Sequence, residues 1–281
     1  MVNNIKTILL MCGLTAIIML FGQLMGGQTG LLIAFGIALV MNFSMYWFSS
    51  SIVLAQTKAQ VVTPQEAPEL YALVEHLAQN AGLPMPKVAI VNDSAPNAFA
   101  TGRNPSHAVV AVTRGLLSIM NREELAGVLS HELAHVKHRD ILICSVAAVM
   151  SSVIMLLANM AKFTAILGVG DRRGGGNIIS SLLMAILAPL AAVLIQAAIS
   201  RSREYLADEG GADIAQTPNG LASALEKLGE VSNRGITVAS ASPSNASLFI
   251  VNPLSSRGLA NLFATHPPLE ERIQRLRGMR P

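Results

Sequence analysis

The chain has 281 residues, of which 52% are apolar and only 13% are charged, with a formal net charge of +3. Its mean hydropathy of +0.49 is too high, with too few charges, for an ordinary soluble domain, so the composition predicts an integral membrane protein in contact with the lipid bilayer. The lysines and arginines form no long run, which argues against a nucleic-acid-binding protein and for basic residues that flank membrane helices.

Four apolar runs divide the sequence. They cover residues 7–25, 29–54, 141–161 and 178–199. Each is long enough, at about 1.5 Å per residue, to cross about 30 Å of hydrocarbon as a helix. Only Gly26, Gly27 and Gln28 separate the first two runs, which favours a helical hairpin over a signal peptide. The last two runs predict a second hairpin, which either spans the membrane or is partly embedded in it. The alternative for this second pair is the core of a large soluble helical domain.

These runs predict four segments. Residues 1–54 form an N-terminal transmembrane hairpin, 55–140 the first half of a soluble domain, 141–199 the second hairpin, and 200–281 the second half of the domain. We expect a mainly α-helical protein with a small β-sheet, in which the two polar segments fold together. Cys12 and Cys144 both fall inside apolar runs, which predicts buried free thiols and no disulfide.

The first polar segment predicts two helices and two strands. Residues 67–81 carry apolar side chains at the spacing of one helix face, and Gly82 ends that helix. Short strands rich in small and β-branched residues follow at Lys87–Val91 and at residues 107–113. A second helix begins at Asn121, where an asparagine cap precedes two glutamates in the first turn.

This second helix contains the sequence HELAH. His131 and His135 stand four residues apart, so both rings lie on one helix face and can reach a single zinc ion. Glu132 is turned about 100° away, where it can take a proton from the water that attacks a peptide carbonyl. The pattern therefore predicts a zinc peptidase. His138 lies one turn further on, too far along the helix to share the ion, and we interpret it as a polar residue beside the membrane.

A catalytic zinc site usually takes a third protein ligand. Glu204 is the favoured ligand, and Asp208, one turn later, is placed to accept a hydrogen bond from the second nitrogen of a ligand histidine. The alternative is a solvated helix face on which the two carboxylates pair with Arg201 and Arg203. Topology decides between them: if both runs of the second hairpin cross the membrane, HELAH and Glu204 emerge on the same side.

The basic residues predict which side that is. On the side of HELAH they are Lys6, Lys58, Lys137, Arg139, Arg201 and Arg203, and on the opposite side they are Lys162, Arg172 and Arg173. By the positive-inside rule, the active site faces the cytoplasm.

Four motifs resemble those of the HtpX-type membrane zinc metalloproteases, bacterial stress-response relatives of the CAAX-prenyl endopeptidases. They are NAFATG at residues 97–102, SHELAHVKHRD at 130–140, SRSREYLAD at 200–208 and THPPLEERI at 265–273. The resemblance implies a gluzincin-like protease domain with one zinc per chain, His131, His135 and Glu204 as ligands, and Glu132 as general base. It also implies a multi-pass protein of the bacterial inner membrane that cleaves misfolded or damaged membrane proteins and cuts itself on release from the membrane. Residues 235–260 match no motif.

The same resemblance implies roles for two weaker motifs. Asn97, Ala98, Phe99 and Ala100 would form an edge strand that pairs with an extended substrate, with the Asn97 side chain bonded to the substrate backbone. Asn97 is equally compatible with a plain turn after Pro96. His266 would approach the site and stabilise the oxyanion, its alternative being a local helix cap.

Two other classes of protein are compatible with parts of the sequence. One is a catalytically silent membrane scaffold or chaperone with structural zinc, but such sites usually have four protein ligands, and no cysteine lies near HELAH. The other is a transporter, which would need polar groups inside the apolar runs. Asn42, Asn159 and Gln196 are weak support for it.

Overall fold

The structure is a computed structural model that describes residues 2–150, 201–233, 250 and 267–279. Three predictions lie outside the described residues: those for the second hairpin beyond Met150, for residues 235–260 except Ile250, and for His266.

The chain begins with one long helical element, α1 (Val2–Thr57), which is interrupted at Gly26 and Gly27. Gly27 has φ 56° and ψ −142°, a backbone conformation that glycine adopts readily, and here the chain reverses. The two arms lie side by side, since the Asn42 amide of the second arm donates hydrogen bonds to Thr15 Oγ1 (2.7 Å) and to the Met11 carbonyl (3.4 Å).

Among the described residues, one helix is long and apolar enough to cross a membrane, Gly26–Thr57, while Ile5–Leu20 and Ile141–Met150 are shorter apolar helices. Large apolar side chains on the second arm point outwards, with Leu32 63% and Phe43 59% exposed. Such a surface is suited to contact with lipid. The expectation of four spanning helices stays a prediction.

A four-stranded mixed sheet follows α1. Its strands are β1 (Gln60–Val62), β2 (Lys87–Val91), β3 (Ala98–Thr101) and β4 (Val109–Thr113), in the spatial order β1-β2-β4-β3. β2 and β4 pair in parallel, and the two outer strands pair antiparallel to their neighbours. The prediction for β2 is confirmed. The strand predicted at 107–113 begins two residues later, because a 3₁₀ turn at Pro105–His107 precedes it.

Seven helices complete the described part of the fold. They are α2 (Pro68–Ala81), α3 (Arg114–Ile119), α4 (Arg122–Lys137), α5 (Ile141–Met150), α6 (Arg201–Ala215), α7 (Asn219–Asn233) and α8 (Leu269–Gly278). α2 ends at Gly82 in a left-handed conformation, as predicted. The Asn121 cap of α4 is also confirmed, and it forms a reciprocal capping box with Glu124. A mainly helical fold with a small sheet is therefore confirmed.

Two apolar cores lie on opposite faces of the sheet. Alternate strand residues such as Val88, Ala100 and Val110 join α2, α4, α6 and α7 in the larger core. The other strand residues, among them Phe99 and Ala111, join both arms of α1 and the start of α5. The sheet therefore separates α4 and α6, which carry HELAH and Glu204, from the apolar helices α1 and α5.

Candidate metal centre

The HELAH sequence lies in the second half of α4, where all its side chains but the partly buried His135 are buried. His131 and Glu132 are 1% and 6% exposed. The two imidazoles meet at right angles, with their Nε2 atoms 3.2 Å apart. The helical spacing expected from the sequence therefore brings both Nε2 atoms towards one point.

Helix α6 brings the carboxylate of Glu204 to the same point. One oxygen, Oε1, lies 3.6 Å from Nε2 of His135, and the other, Oε2, lies 3.8 Å from Nε2 of His131. The two helices can approach this closely because α6 carries Gly211 at the contact. A Cβ there would stand 3.0 Å from both Cα and N of His131, closer than ordinary side-chain contacts.

The donor atoms of this cluster fit a tetrahedral metal ion. Zinc binds ring nitrogens at about 2.0–2.1 Å and carboxylate oxygens at about 2.0–2.2 Å, so neighbouring donor atoms on it stand about 3.3–3.5 Å apart. The separations in the cluster are 3.2, 3.6 and 3.8 Å. Three protein donors would leave one position for water, as in catalytic zinc sites. His138 caps the end of α4 and is not one of the three clustered residues.

The Nδ1 atom of each histidine, on the side of the ring away from the cluster, lies close to a carboxylate. Nδ1 of His131 lies 3.0 Å from Oδ1 of Asp208, the partner that the sequence suggested. Nδ1 of His135 lies 3.2 Å from Oδ2 of Asp140, which sequence reasoning missed. Arg139 has a left-handed φ of 60°, and its break between α4 and α5 turns Asp140 back towards the helix. Such partners fix which ring nitrogen faces the metal.

A second residue missed from the sequence is Arg272 on α8. Its Nε and Nη2 donate to the two oxygens of Asp208 at 2.9 and 2.7 Å, and its Nη1 lies 3.7 Å from Oε2 of Glu204. The side chain is only 1% exposed. It stands on the apolar face of α8, three residues after Leu269 and four before Leu276, and a charged residue at such a position was the available signal.

Burial and charge together set the protonation of the His131 and Asp208 pair. Burial lowers the pKa of the His131 imidazole, and this outweighs the opposing effect of Asp208. Burial alone would raise the pKa of Asp208, but the charge and hydrogen bonds of Arg272 lower it. His131 therefore tends to be neutral, as a metal ligand must be, beside an ionised Asp208.

The other two groups of the motif have raised pKa values. Burial raises the pKa of the Glu132 carboxyl to about 7, with a further contribution from Glu204. Burial acts to lower the pKa of His135, but Asp140 and the carboxylates of Glu204 and Glu132 outweigh it and raise that pKa to about 9. Metal binding must displace a proton from His135, so metal and protons compete for this site.

Strand β3 lies beside Glu132. The backbone N–H of Thr113 in β4 donates to the Asn97 carbonyl, and the N–H of Asn97 donates to the Thr113 hydroxyl, so the backbone groups of Ala98 and Ala100 point away from β4. The N–H of Ala100 donates to the Glu132 carboxylate. In the described part of the chain β3 is an outer strand, so this edge of the sheet lies next to the candidate base.

The residues expected to bind substrate differ in their surroundings. Ala98 and Ala100 pack towards α4, whereas Phe99 packs towards α1. The side-chain oxygen of Asn97 accepts a hydrogen bond from the backbone N–H of Ile250 at 3.2 Å, and the Ile250 carbonyl accepts one from Arg272 at 3.3 Å. The Asn97 side chain, which we expected to bond a substrate backbone, thus bonds the protein's own chain through its oxygen.

Comparisons with known proteins agree with this arrangement. Residues 64–280 match the model of peptidase family M48. The chain is 57% identical to a "Protease HtpX homolog" of Desulfatibacillum aliphaticivorans over 99% of this chain and 90% of the relative. It is 55% identical to a protein of the same description from Pyrococcus furiosus over 97% of this chain and 94% of the relative. Among solved structures, S. mikatae Ste24p has a similar fold, with a TM-score of 0.50 and 21% identity over 85% of this chain and 56% of that one.

Proposed function

Because the chain belongs to peptidase family M48 and is a membrane-bound metalloendopeptidase, we propose that its metal is zinc, held by His131, His135 and Glu204. The observation that carries the proposal is the convergence of these three donors within 4.8 Å of one another in the buried interior. Two imidazoles and one carboxylate form a ligand set found in catalytic zinc sites. Family membership also sets aside the scaffold and transporter alternatives.

The proposed mechanism assigns the proton transfers to Glu132. When bound, zinc would supply a Lewis acid that polarises the scissile carbonyl and lowers the pKa of water. The Glu132 carboxylate takes a proton from the attacking water as the water oxygen bonds to the carbonyl carbon. It then gives that proton to the amide nitrogen as the C–N bond breaks. A pKa near 7 suits both halves of this transfer.

Three groups on the protein hold the metal ligands in place in this proposal. Asp208 and Asp140 orient the rings of His131 and His135, and Arg272 fixes Asp208 by two hydrogen bonds. The outward backbone groups of Ala98 and the outward carbonyl of Ala100 would pair with an extended substrate, giving affinity with little demand on its sequence. His266 remains a proposed stabiliser of the oxyanion.

The proposed substrates are misfolded or damaged membrane proteins, and the protease itself on release from the membrane. The packing of one face of the sheet on α1 and α5 supports this proposal, since it keeps the catalytic domain beside the bilayer. We propose that the chain is a multi-pass protein of the bacterial inner membrane. Its active site would face the cytoplasm, as the distribution of lysine and arginine favours.

Replacement of Glu132 by glutamine tests the function. The variant should keep one zinc per chain but lose peptide cleavage, because it removes the base and leaves the three ligands. Zinc content and casein cleavage of the detergent-solubilised protein are the measurements. The variant should also purify intact if the wild-type protein cuts itself. Cleavage near the wild-type rate, or loss of zinc, would contradict the assignment.

A further inference from the structure

An arginine and two aromatic side chains meet where the loop after β3 contacts the second arm of α1. The guanidinium carbon of Arg103 lies 4.7 Å from the ring centroid of Trp47, and Tyr46 contacts the same ring edge-on at 5.5 Å. Trp47 is 45% exposed and Tyr46 is 38% exposed. We call these three residues the Trp47–Arg103 cluster. The proposed mechanism gives it no role.

The loop holds Arg103 in a defined position. Gly102 has φ +145°, and a Cβ there would overlap the carbonyl of His107, so the loop requires glycine at this point. Nδ1 of His107 lies 2.7 Å from Oδ1 of Asn104, and Nε2 lies 2.6 Å from Nη2 of Arg103. These contacts of the His107 ring with Asn104 and Arg103 hold the guanidinium in place. In the described part of the chain no carboxylate forms a salt bridge with Arg103, so its charge is available to an outside anion.

Measured along α1 from the turn at Gly26, the cluster lies where the opposite membrane surface is expected. Trp47 stands 21 residues after Gly26, which corresponds to about 31 Å of helix. Lys6 stands 20 residues before Gly26 on the other arm, which corresponds to about 30 Å. The Asn42 contacts set the two arms in antiparallel register and bring Lys6 and Trp47 to similar heights. Both distances equal the thickness of a bilayer's hydrocarbon core, about 30 Å.

The distance from Gly26 to Trp47 places the membrane boundary near Trp47, before the end of the apolar run 29–54. The sequence suggested residue 54, but the last ten residues of α1 continue past Trp47 and contact the protease domain. Val53 is fully buried among residues of the sheet and α5. Below Trp47, Leu39, Val40 and Phe43 are more than half exposed, so they suit contact with acyl chains.

We propose that the Trp47–Arg103 cluster binds the phosphate of anionic lipid headgroups on the side of the protease domain. Tryptophan and tyrosine favour the membrane interface. A guanidinium binds phosphate oxygens through paired N–H donors, and anionic lipids attract basic residues to the surface. The exposed apolar side chains on the bilayer side of the cluster suit contact with acyl chains, and they favour a lipid over free phosphate as the ligand. β3 ends at Thr101, so this contact holds the proposed substrate-binding edge at the bilayer surface, a consequence that rests on the proposed function.

The depth of Trp47 gives the first test. It is the only tryptophan in the chain, so the fluorescence of the full-length protein in vesicles reports this position alone. Phospholipids brominated at different positions along the acyl chain should quench it most strongly when the bromine is shallowest, near the hydrocarbon boundary about 15 Å from the bilayer centre. Strongest quenching by the deepest bromine, or no quenching by any of them, would overturn the proposal. The readout requires no proteolysis, so it is independent of the proposed function.

The second test is specific to the headgroup. Acrylamide is uncharged, and it should quench Trp47 about twofold less in vesicles that contain phosphatidylglycerol than in vesicles of phosphatidylcholine alone. Arg103→Gln should abolish this lipid dependence, and Arg103→Lys should retain part of it. Arg122→Gln, which removes an exposed arginine at the start of α4, is the matched control and should behave like the wild type. If phosphatidylglycerol still reduced the quenching of Trp47 by acrylamide in Arg103→Gln, the proposal would be contradicted. It would also be contradicted if inorganic phosphate, added to the protein in detergent, reduced this quenching to the same extent.

Discussion

At the scale of single residues, loss of the Glu204 carboxylate should reduce zinc binding more than loss of the Asp208 carboxylate. Glu204 lies among the histidine Nε2 atoms, whereas Asp208 contacts Nδ1 of His131 on the far side of the ring. Glu204→Gln should therefore lose both zinc and peptidase activity. Asp208→Asn should weaken zinc binding only about 10–100-fold, because it loosens a ligand without removing one. Zinc titration monitored with a competing chelator measures both effects.

The comparison with Glu132→Gln makes this prediction discriminating. All three variants remove a single carboxylate charge from the same buried region, yet only Glu204→Gln should fail to hold stoichiometric zinc at micromolar metal. If it does hold zinc, another residue is the third ligand, and His266 is the first to test.

Arg272 should matter more for stability than any exposed arginine of α8. Arg272→Met would leave the ionised Asp208 buried without its partner, which typically costs about 3–5 kcal/mol. Arg275→Met is the matched control, since Arg275 is 46% exposed and pairs with an exposed Glu209. The control should lose less than about 1 kcal/mol. Unfolding of the metal-free protein in detergent compares the two variants, and equal losses would count against a special role for Arg272.

Helical spacing predicted the pair of histidines in HELAH, and topology favoured Glu204 and Asp208 over a solvated helix face. The structure brings these side chains together. Asp140 and Arg272 could not be assigned in the same way. The partner of Asp140 depends on the left-handed turn at Arg139, and Arg272 meets Asp208 across 64 residues of sequence. Contacts of that kind depend on tertiary packing, which spacing alone does not encode.

At the scale of elements, the contact between α4 and α6 depends on glycine. A Cβ at Gly211 would stand 3.0 Å from the His131 backbone, so Gly211→Ala should push the helices apart by a few tenths of an ångström and move Glu204 from the histidines. We expect weaker zinc binding, although alanine is the better helix former. Zinc titration and thermal unfolding are the measurements.

Gly229→Ala on α7 provides the control for this substitution. Among the described residues, a Cβ there would meet Leu269 Cδ1 alone, at an ordinary 3.6 Å. This variant should therefore keep its zinc affinity and gain about 0.5–1 kcal/mol of stability from helix propensity. Equal zinc affinity in the two alanine variants would contradict the close-packing argument.

Most described elements could be predicted, and the errors have physical causes. Regular hydrophobic spacing and the caps at Gly82 and Asn121 correctly predicted α2 and the start of α4. β1 was missed because its three residues are too few to show a period. The start of β4 was misplaced because Pro105 opens a turn that uses the residues before Val109.

At the scale of the whole molecule, the second hairpin determines whether the two halves of the site share one side of the membrane. Cysteine labels at Gly174 and Gly235, both outside the described residues, should report opposite sides, because the chain between HELAH and Glu204 is proposed to cross twice. Labelling with membrane-impermeant and permeant maleimides in intact cells is the measurement. Labels on the same side would mean that the hairpin lies in or on the membrane without crossing.

The participation of α8 in the metal centre has a consequence for biosynthesis. Arg272 reaches Asp208 from an element that follows it by 64 residues, and without that guanidinium the buried carboxylate that orients His131 has no counter-charge. The ribosome therefore synthesises the first apolar helices and HELAH well before the proposed metal centre can become stable. A centre that needs Arg272 to hold Asp208 in place can therefore be completed only after α8 has been synthesised.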